Sequence, residues 1–271
     1  MKKIKKVFGV LGSPLSHSKS PKLHNYWFKK YKLKNIYKKY EINEKQIPKL
    51  LQEIKDKKVN GINVTIPYKK IVIKHLDKLE GNAKFTNSVN TIFLKKKKLI
   101  GENTDVDGIN IGFLRNIKLK KKIIFIIGAG GVALSLIWAL KKNKVKLIYV
   151  TNRTKKEITR LKLFFKVKII EWNNRNKFLN RADIIFNATS LGMKNYPKMK
   201  LNSNIVKKEA IYCEIIYNPK LTSFAKKLKS RNIKTLNGLG MFIEQARKSF
   251  KIWHGFYPDR LNKKQTNKIF K

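Results

Sequence analysis

The chain has 271 residues, 42% of them hydrophobic, and its 64 Lys+Arg against 16 Asp+Glu give a net charge of +48. That length and apolar content provide for two cores and exclude global disorder, and no apolar run approaches the ~18 residues of a membrane span. The single cysteine, Cys213, excludes an intramolecular disulfide, and no Cys/His cluster points to a metal.

In chain order, the basic start Met1–Lys6 resembles the opening of a signal peptide, but the apolar run behind it is short and is broken at Gly12-Ser13-Pro14. Val7 to Leu11 reads as a buried strand. Ser20 as N-cap and Pro21 in the first turn open a helix carrying Leu23, Tyr26 and Trp27. Asn35 to Ile42 alternates as a strand, Gln46 to Ile54 is helical, and Gly61 to Ile66 is a strand stopped by Pro67. Thr91 to Leu94 and Leu99-Ile100 form a hairpin about a lysine turn. A helix over Ile109 to Arg115 leads to the strand Lys122 to Ile127, the loop Gly128 to Ala133, an apolar helix through Leu140 and the strand Lys146 to Val150. This is a βαβ unit of dinucleotide-binding form. Further strands fall at Ile169-Ile170, Ile184 to Asn187 and Ala210 to Glu214, and a last helix at Met241 to Trp253.

A basic chain raises the question of nucleic acid. Only 8 of the 64 basic residues are Arg, the usual reader of phosphates and bases, and the lysines are spread over the whole chain instead of forming one patch or tail. The excess of Lys and Asn matches the codon bias of an AT-rich genome. It implies nonspecific polyanion binding at low salt and no specific nucleic-acid partner.

Gly128-x-Gly130-x-x-Ala133 lies directly between a strand and a helix. Gly128 permits the tight turn, Gly130 lets a pyrophosphate approach the backbone, Ala133 permits close packing, and the helix N-terminus supplies N–H groups. The second strand ends in Thr151-Asn152-Arg153-Thr154, with no acid for a ribose 2′-OH and with Arg153 placed for a 2′-phosphate, which favours NADP over NAD. Ser18 and Ser20 put two hydroxyls at a helix start, where they can hold a carboxylate or simply cap the helix. Alternation puts Asn63 and Thr65 on one face, and Lys69 follows the strand end, where α/β ligands bind. Asp105 offers a carboxylate where the two halves meet, or a cap for the helix behind it.

These motifs, taken with Gly12 to Pro21, Ser88-Val89-Asn90-Thr91, Asn103-Thr104-Asp105, Asn187 to Gly192, Tyr217-Asn218-Pro219, Gly238 to Ala246 and Trp253-His254-Gly255, resemble the shikimate dehydrogenase family nearly end to end. The resemblance implies reversible, NADPH-dependent reduction of 3-dehydroshikimate to shikimate, a step toward chorismate and the aromatic amino acids. It implies Lys69 and Asp105 as the catalytic pair and Ser18 and Ser20 on the substrate carboxylate. Asn63, Thr65, Asn90, Asp105 and Gln245 would bind the substrate hydroxyls, with Tyr217 closing over the ring. Gly128, Ala129, Gly130, Gly131, Val132, Ala133, Asn152, Arg153, Thr154, Thr189, Ile215, Gly238 and Met241 would line the NADP site. The implied architecture is α/β with two domains and a cleft between them that opens and closes: a substrate domain over residues 1–105, to which 241–271 return, and a Rossmann NADP domain over 106–240. A cytoplasmic monomer or homodimer, with no membrane or metal, completes the expectation.

Three positions depart from the family pattern. Glu157 stands where a second arginine often follows Arg153, Glu214 replaces an aspartate, and Ile215 replaces a methionine. A broader quinate/shikimate dehydrogenase, a nucleic-acid binder on a dehydrogenase scaffold and a shikimate-binding module without turnover are the rival readings. Quinate turnover, salt-dependent sequence-specific affinity and a rate assay separate them.

Overall fold

The computed structural model describes residues 5–270. It divides into two compact units, one of residues up to Asp105 together with those from Gln245 onward, the other Val106–Glu244. Residues 241–244 thus stay with the second unit, four positions later than the expected boundary. Met241 is buried in that unit's core, where its backbone packs on Gly112.

The first unit opens with β1 (Val7–Leu11), α1 (Ser20–Lys30), β2 (Ile36–Tyr40), α2 (Ile47–Lys55) and β3 (Gly61–Val64). It continues with β4 (Lys78–Leu79), α3 (Ala83–Thr86), β5 (Thr91–Lys95) and β6 (Lys98–Glu102). The strands form one mixed sheet in the order β2-β1-β3-β5-β6-β4. β1 pairs in parallel with both β2 and β3, while β5 runs antiparallel to β3 and β6. The crossover over β1 puts the loops after β1 and β3 side by side at the carboxyl ends of parallel strands, the usual ligand edge of such sheets. Thr65 N–H donates to Leu11 O at 2.8 Å and Ser13 N–H to Ile66 O at 3.1 Å, tying the two loops together.

Two expectations are corrected here. Ser20 is the first residue of α1 and Lys19 precedes it as the cap residue, so the Ser20 hydroxyl is not spent on capping. β3 ends at Val64, so Thr65 is a loop residue beyond the strand.

The helix α4 (Asp105–Ile109) begins four residues earlier than the expected Ile109 and continues as a π turn over Asn110–Leu114. Then follow β7 (Ile123–Ile127), α5 (Gly131–Lys142), β8 (Leu147–Thr151), α6 (Lys155–Phe164), β9 (Lys168–Ile170), β10 (Ile184–Asn187), β11 (Ile211–Glu214), α7 (Ser223–Ser230) and β12 (Lys234–Leu236). The sheet is wholly parallel in the order β12-β11-β10-β7-β8-β9, the doubly wound order of dinucleotide-binding folds. Its strands are apolar on both faces, as a parallel sheet covered by helices requires. Ile124, Ile126, Ile184 and Phe186 enter one core cluster, and Phe125, Ile127, Ile185 and Tyr212 the other. The last elements are α8 (Leu239–His254) and α9 (Lys263–Phe270). In the first unit, the ring of Trp253 packs directly on the backbone of Gly61, where any Cβ would collide with it.

Candidate active site

Lys69 lies in the turn after β3, and Val89 N–H donates to its carbonyl at 2.8 Å. Its Nζ meets Asp105 Oδ2 at 2.5 Å, and both side chains are close to fully buried, at 11% and 6% exposure. A charged pair this far from water must be held by further polar groups. Asn90 Nδ2 donates to the other oxygen, Asp105 Oδ1, at 2.9 Å, and to Gln245 Oε1 at 3.3 Å. Asp105 opens α4 and its own N–H goes to Asn103 Oδ1 at 3.0 Å. Its carboxylate is therefore committed to Lys69 and Asn90, and the N-cap alternative does not hold.

The amide orientations follow from their partners. Thr104 N–H, which can only donate, meets Asn90 Oδ1 at 2.8 Å, so the Asn90 Nδ2 end faces Asp105. Asn63 Nδ2 faces the Asn90 carbonyl at 3.1 Å, which can only accept, and Asn63 Oδ1 takes the Tyr37 hydroxyl at 2.7 Å. Burial pushes the Tyr37 phenol well above its ordinary pKa, so it stays a donor. Asn63, Asn90, Lys69, Asp105 and Ser20 are buried, and Ser18 and Thr65 are half-buried. Ser20 N–H reaches Ser18 Oγ at 3.4 Å. Of the substrate residues expected from the sequence, Ser18, Ser20, Asn63, Thr65, Lys69, Asn90, Asp105 and Gln245 all belong to the first unit, and Tyr217 to the second.

The second unit holds every expected cofactor residue. Gly128 has φ +111°, a conformation L side chains rarely adopt, and a Cβ there would lie 2.7 Å from Thr189 Cγ2. Gly130 caps α5 without a side-chain hydrogen bond, and a Cβ on it would point into open space. A bare helix N-terminus beside an open cradle fits a pyrophosphate. Ala129 N–H donates to Asn152 Oδ1 at 3.2 Å and Asn152 Nδ2 to Thr154 O at 3.0 Å, which joins the glycine loop to the Asn152–Thr154 turn. Arg153 and Thr154 are exposed there, free to meet the adenosine end of a dinucleotide. Thr189 Oγ1 donates to Asn187 Oδ1 at 2.6 Å. Gly238 lies against the backbone of Ile215, with no room for a side chain. Tyr217 packs on Phe242 with ring centroids 4.7 Å apart.

Glu214 is buried at the end of β11 and accepts from Thr222 N at 3.3 Å, Thr222 Oγ1 at 2.8 Å and Tyr212 Oη at 3.2 Å. It thereby staples both ends of the loop that carries Ile215 and Tyr217, and burial raises its pKa. Cys213 is fully buried, and burial raises its thiol pKa, as for an inert core residue. Tyr37, Thr91, Thr104 and Ser249 belong to the buried polar network, yet the sequence reading assigned them no role. For Ser249 the one sequence signal was its spacing, a helical turn after Gln245.

Three family models match the chain: "Shikimate dehydrogenase substrate binding domain" over residues 10–92, "Shikimate / quinate 5-dehydrogenase" over 113–215, and "Shikimate 5'-dehydrogenase C-terminal domain" over 238–261. The shikimate dehydrogenase (NADP(+)) of Pelagibacter ubique is 42% identical over 260 residues, covering 94% of this chain and 96% of that protein. The crystal structure of shikimate dehydrogenase from Aquifex aeolicus superposes with TM-score 0.88 at 32% identity, covering 98% of this chain and 97% of that one. A Thermus thermophilus shikimate 5-dehydrogenase in complex with NADP(H) and shikimate gives 0.86 at 26% identity, with 98% of each chain covered.

Proposed function

The chain belongs to the shikimate dehydrogenase family, and from that premise we propose that Lys69 and Asp105 carry proton transfer in the reversible, NADP(H)-dependent reduction of 3-dehydroshikimate to shikimate. The observation that carries this assignment is the buried 2.5 Å contact between Lys69 Nζ and Asp105 Oδ2, itself gripped by Asn90.

When bound on the second unit, NADPH supplies the hydride that reduces the C3 ketone. The ketone oxygen then gains negative charge, and the Lys69 ammonium beside it stabilises that charge and donates the proton that completes the alcohol. Asp105 keeps Lys69 aimed and accepts a substrate hydroxyl hydrogen bond. In the oxidation direction Lys69, as the amine, takes the proton back. Ser18 and Ser20 hold the carboxylate, whose fixed place sets which ring carbon lies at Lys69. Asn63 Oδ1 and Thr65, Asn90 and Gln245 take ring hydroxyls, and Tyr217 closes over the substrate. Gly128 to Ala133 hold the pyrophosphate, Arg153 and Thr154 the 2′-phosphate, and Asn152, Thr189, Ile215, Gly238 and Met241 the remainder of the dinucleotide. The reaction is cytoplasmic, in keeping with a lone buried thiol, and the enzyme acts as a monomer or homodimer.

The test follows the absorbance of reduced nicotinamide with shikimate or quinate, and with NADP⁺ or NAD⁺ in parallel. Turnover of shikimate with NADP⁺ is expected, with kcat falling about 10²–10⁴-fold in Lys69→Ala. Turnover with NAD⁺ alone would remove the role given to Arg153, and no turnover with either substrate would remove the reaction.

A further inference from the structure

Ser249 sits on α8 one helical turn after Gln245, with no solvent exposure. Its hydroxyl donates to the Gln245 carbonyl at 3.1 Å. Its oxygen also accepts from Asn63 Nδ2 at 2.9 Å and lies within hydrogen-bond distance of Thr91 Oγ1 at 2.8 Å and Thr104 Oγ1 at 3.1 Å. Thr91 and Thr104 each also contact Asn90 Oδ1, at 3.0 and 3.1 Å. The bonds therefore run without a break from Tyr37 through Asn63, Ser249 and the two threonines to Asn90, and from there to Asp105 and Lys69.

We infer that Ser249 is a positioning residue for the reaction. It touches no reacting atom; it holds the amides of Asn63 and Asn90 in the orientation that leaves Asn63 Oδ1 for the substrate and turns Asn90 Nδ2 onto Asp105. This rests on the roles given above to Asn63, Asn90 and the Lys69–Asp105 pair. Asn63 lies on β3 and Asn90 immediately before β5; the Asn90 carbonyl and the Tyr37 hydroxyl orient the first amide, Thr104 N–H orients the second, and Ser249 braces this arrangement from α8. Ser249 and Gln245 reach this network from α8, off the first unit's sheet and its adjoining turn. Removing the Ser249 oxygen takes from the Asn63 amide its shortest bond, at 2.9 Å against 3.1 Å to the Asn90 carbonyl and to Thr91 Oγ1, and takes from both threonines a contact in a dry interior, which loosens the bonds that aim the two amides. All its partners lie in the first unit, whereas the cofactor residues lie in the second, so the effect must fall on shikimate terms and spare cofactor terms.

The experiment compares Ser249→Ala, Ser249→Cys and Ser249→Thr with the unaltered chain, measuring kcat and KM for shikimate and KM for NADP⁺ separately. Ala removes the acceptor, Cys keeps the volume with a weak acceptor, and Thr keeps the hydroxyl. The expected result is a kcat/KM for shikimate lowered about tenfold in Ala and Cys and largely restored in Thr, with KM for NADP⁺ unchanged within about twofold. Should Ala fail to fold, Cys carries the comparison. Unchanged shikimate parameters in folded Ala or Cys would overturn the inference, as would an equal loss in shikimate and NADP⁺ terms, the mark of a merely structural role. Absence of turnover in the unaltered chain would instead sink the reaction assigned above, and the positioning role with it.

Discussion

Gly130 separates a binding role from a structural one more cleanly than its neighbours do. Gly128 and Gly238 have no room for a Cβ, so any substitution there disturbs the fold as well as the ligand. At Gly130 the backbone has φ −70°, which any residue adopts, and a Cβ would point into open space. Gly130→Val therefore costs the fold only the weaker cap, about 1 kcal/mol or less. The same side chain would stand where the pyrophosphate must approach the α5 N–H groups. The expected outcome is an NADP⁺ dissociation constant raised about 100-fold or more by calorimetric titration, with shikimate binding and the urea midpoint nearly unchanged. A large loss of stability with intact NADP⁺ affinity would show that the glycine serves the turn and not the ligand.

At the scale of elements, the first unit is held by aromatic packing of α1 and α8 on β1 and β2. His24 stacks on Tyr37 at 4.4 Å, lies edge-on to Trp27 at 5.4 Å and faces Trp253 at 5.5 Å. It is fully buried, and among the described residues neither ring nitrogen has a hydrogen-bond partner. Burial, with a smaller contribution from His254, lowers its pKa from 6.5 to about 3. Because the folded value lies below the unfolded one, His24 favours folding fully above pH 6.5, and the folded state loses about 1.4 kcal/mol per pH unit as pH falls below that. His24→Phe keeps the stacking and removes the titration. Its urea midpoint should fall less steeply than that of the unaltered chain between pH 6.5 and about pH 4, and equal slopes would clear His24 of the effect. The elements that could be read from the sequence were those with apolar runs or punctuation: β1, β7, β10 and β11, the glycine loop and the β5–β6 hairpin. α6 and α7 escaped because lysines dominate them, and β4 and β12 because two or three residues carry no period. The sequence offers Asp105 as a cap ahead of its helix, whereas Asn103 accepts the Asp105 N–H and Asp105 is already the first helical residue. Motifs mark Lys69, Asp105 and Asn90, whereas Ser249 has only its helical spacing from Gln245, because its partners Asn63, Thr91 and Thr104 lie 186, 158 and 145 residues away in the chain.

Over the whole molecule, the lysine excess acts through backbone conformation as well as charge. Among the described residues six lysines, Lys32, Lys57, Lys96, Lys97, Lys121 and Lys144, have positive φ, where glycine or asparagine is the unstrained choice. Lys32 ends α1: its N–H bonds Lys29 O and the next N–H bonds Phe28 O, the paired bonds of a Schellman cap. Lys57 and Lys144 follow α2 and α5 in the same way, bonding Ile54 O and Lys141 O. Lys96 and Lys97, at φ 48° and 62°, form the two-residue turn between β5 and β6, a place that asks for Asn-Gly. Each side chain there costs backbone strain and adds to the self-repulsion of a chain at +48. The two effects separate by their response to salt, since strain is insensitive to it while repulsion is screened as the Debye length falls from about 30 Å at 0.01 M to about 8 Å at 0.15 M. Urea, being uncharged, allows both to be measured on one protein. Replacing these six lysines by glycine should raise stability by about 0.5–1 kcal/mol per site after the entropy cost of glycine. Part of that gain should persist in moderate salt, where the unaltered chain also becomes more stable. A gain that vanishes on adding salt would make charge the whole cause. No gain at either ionic strength would mean that the left-handed lysines are tolerated without strain.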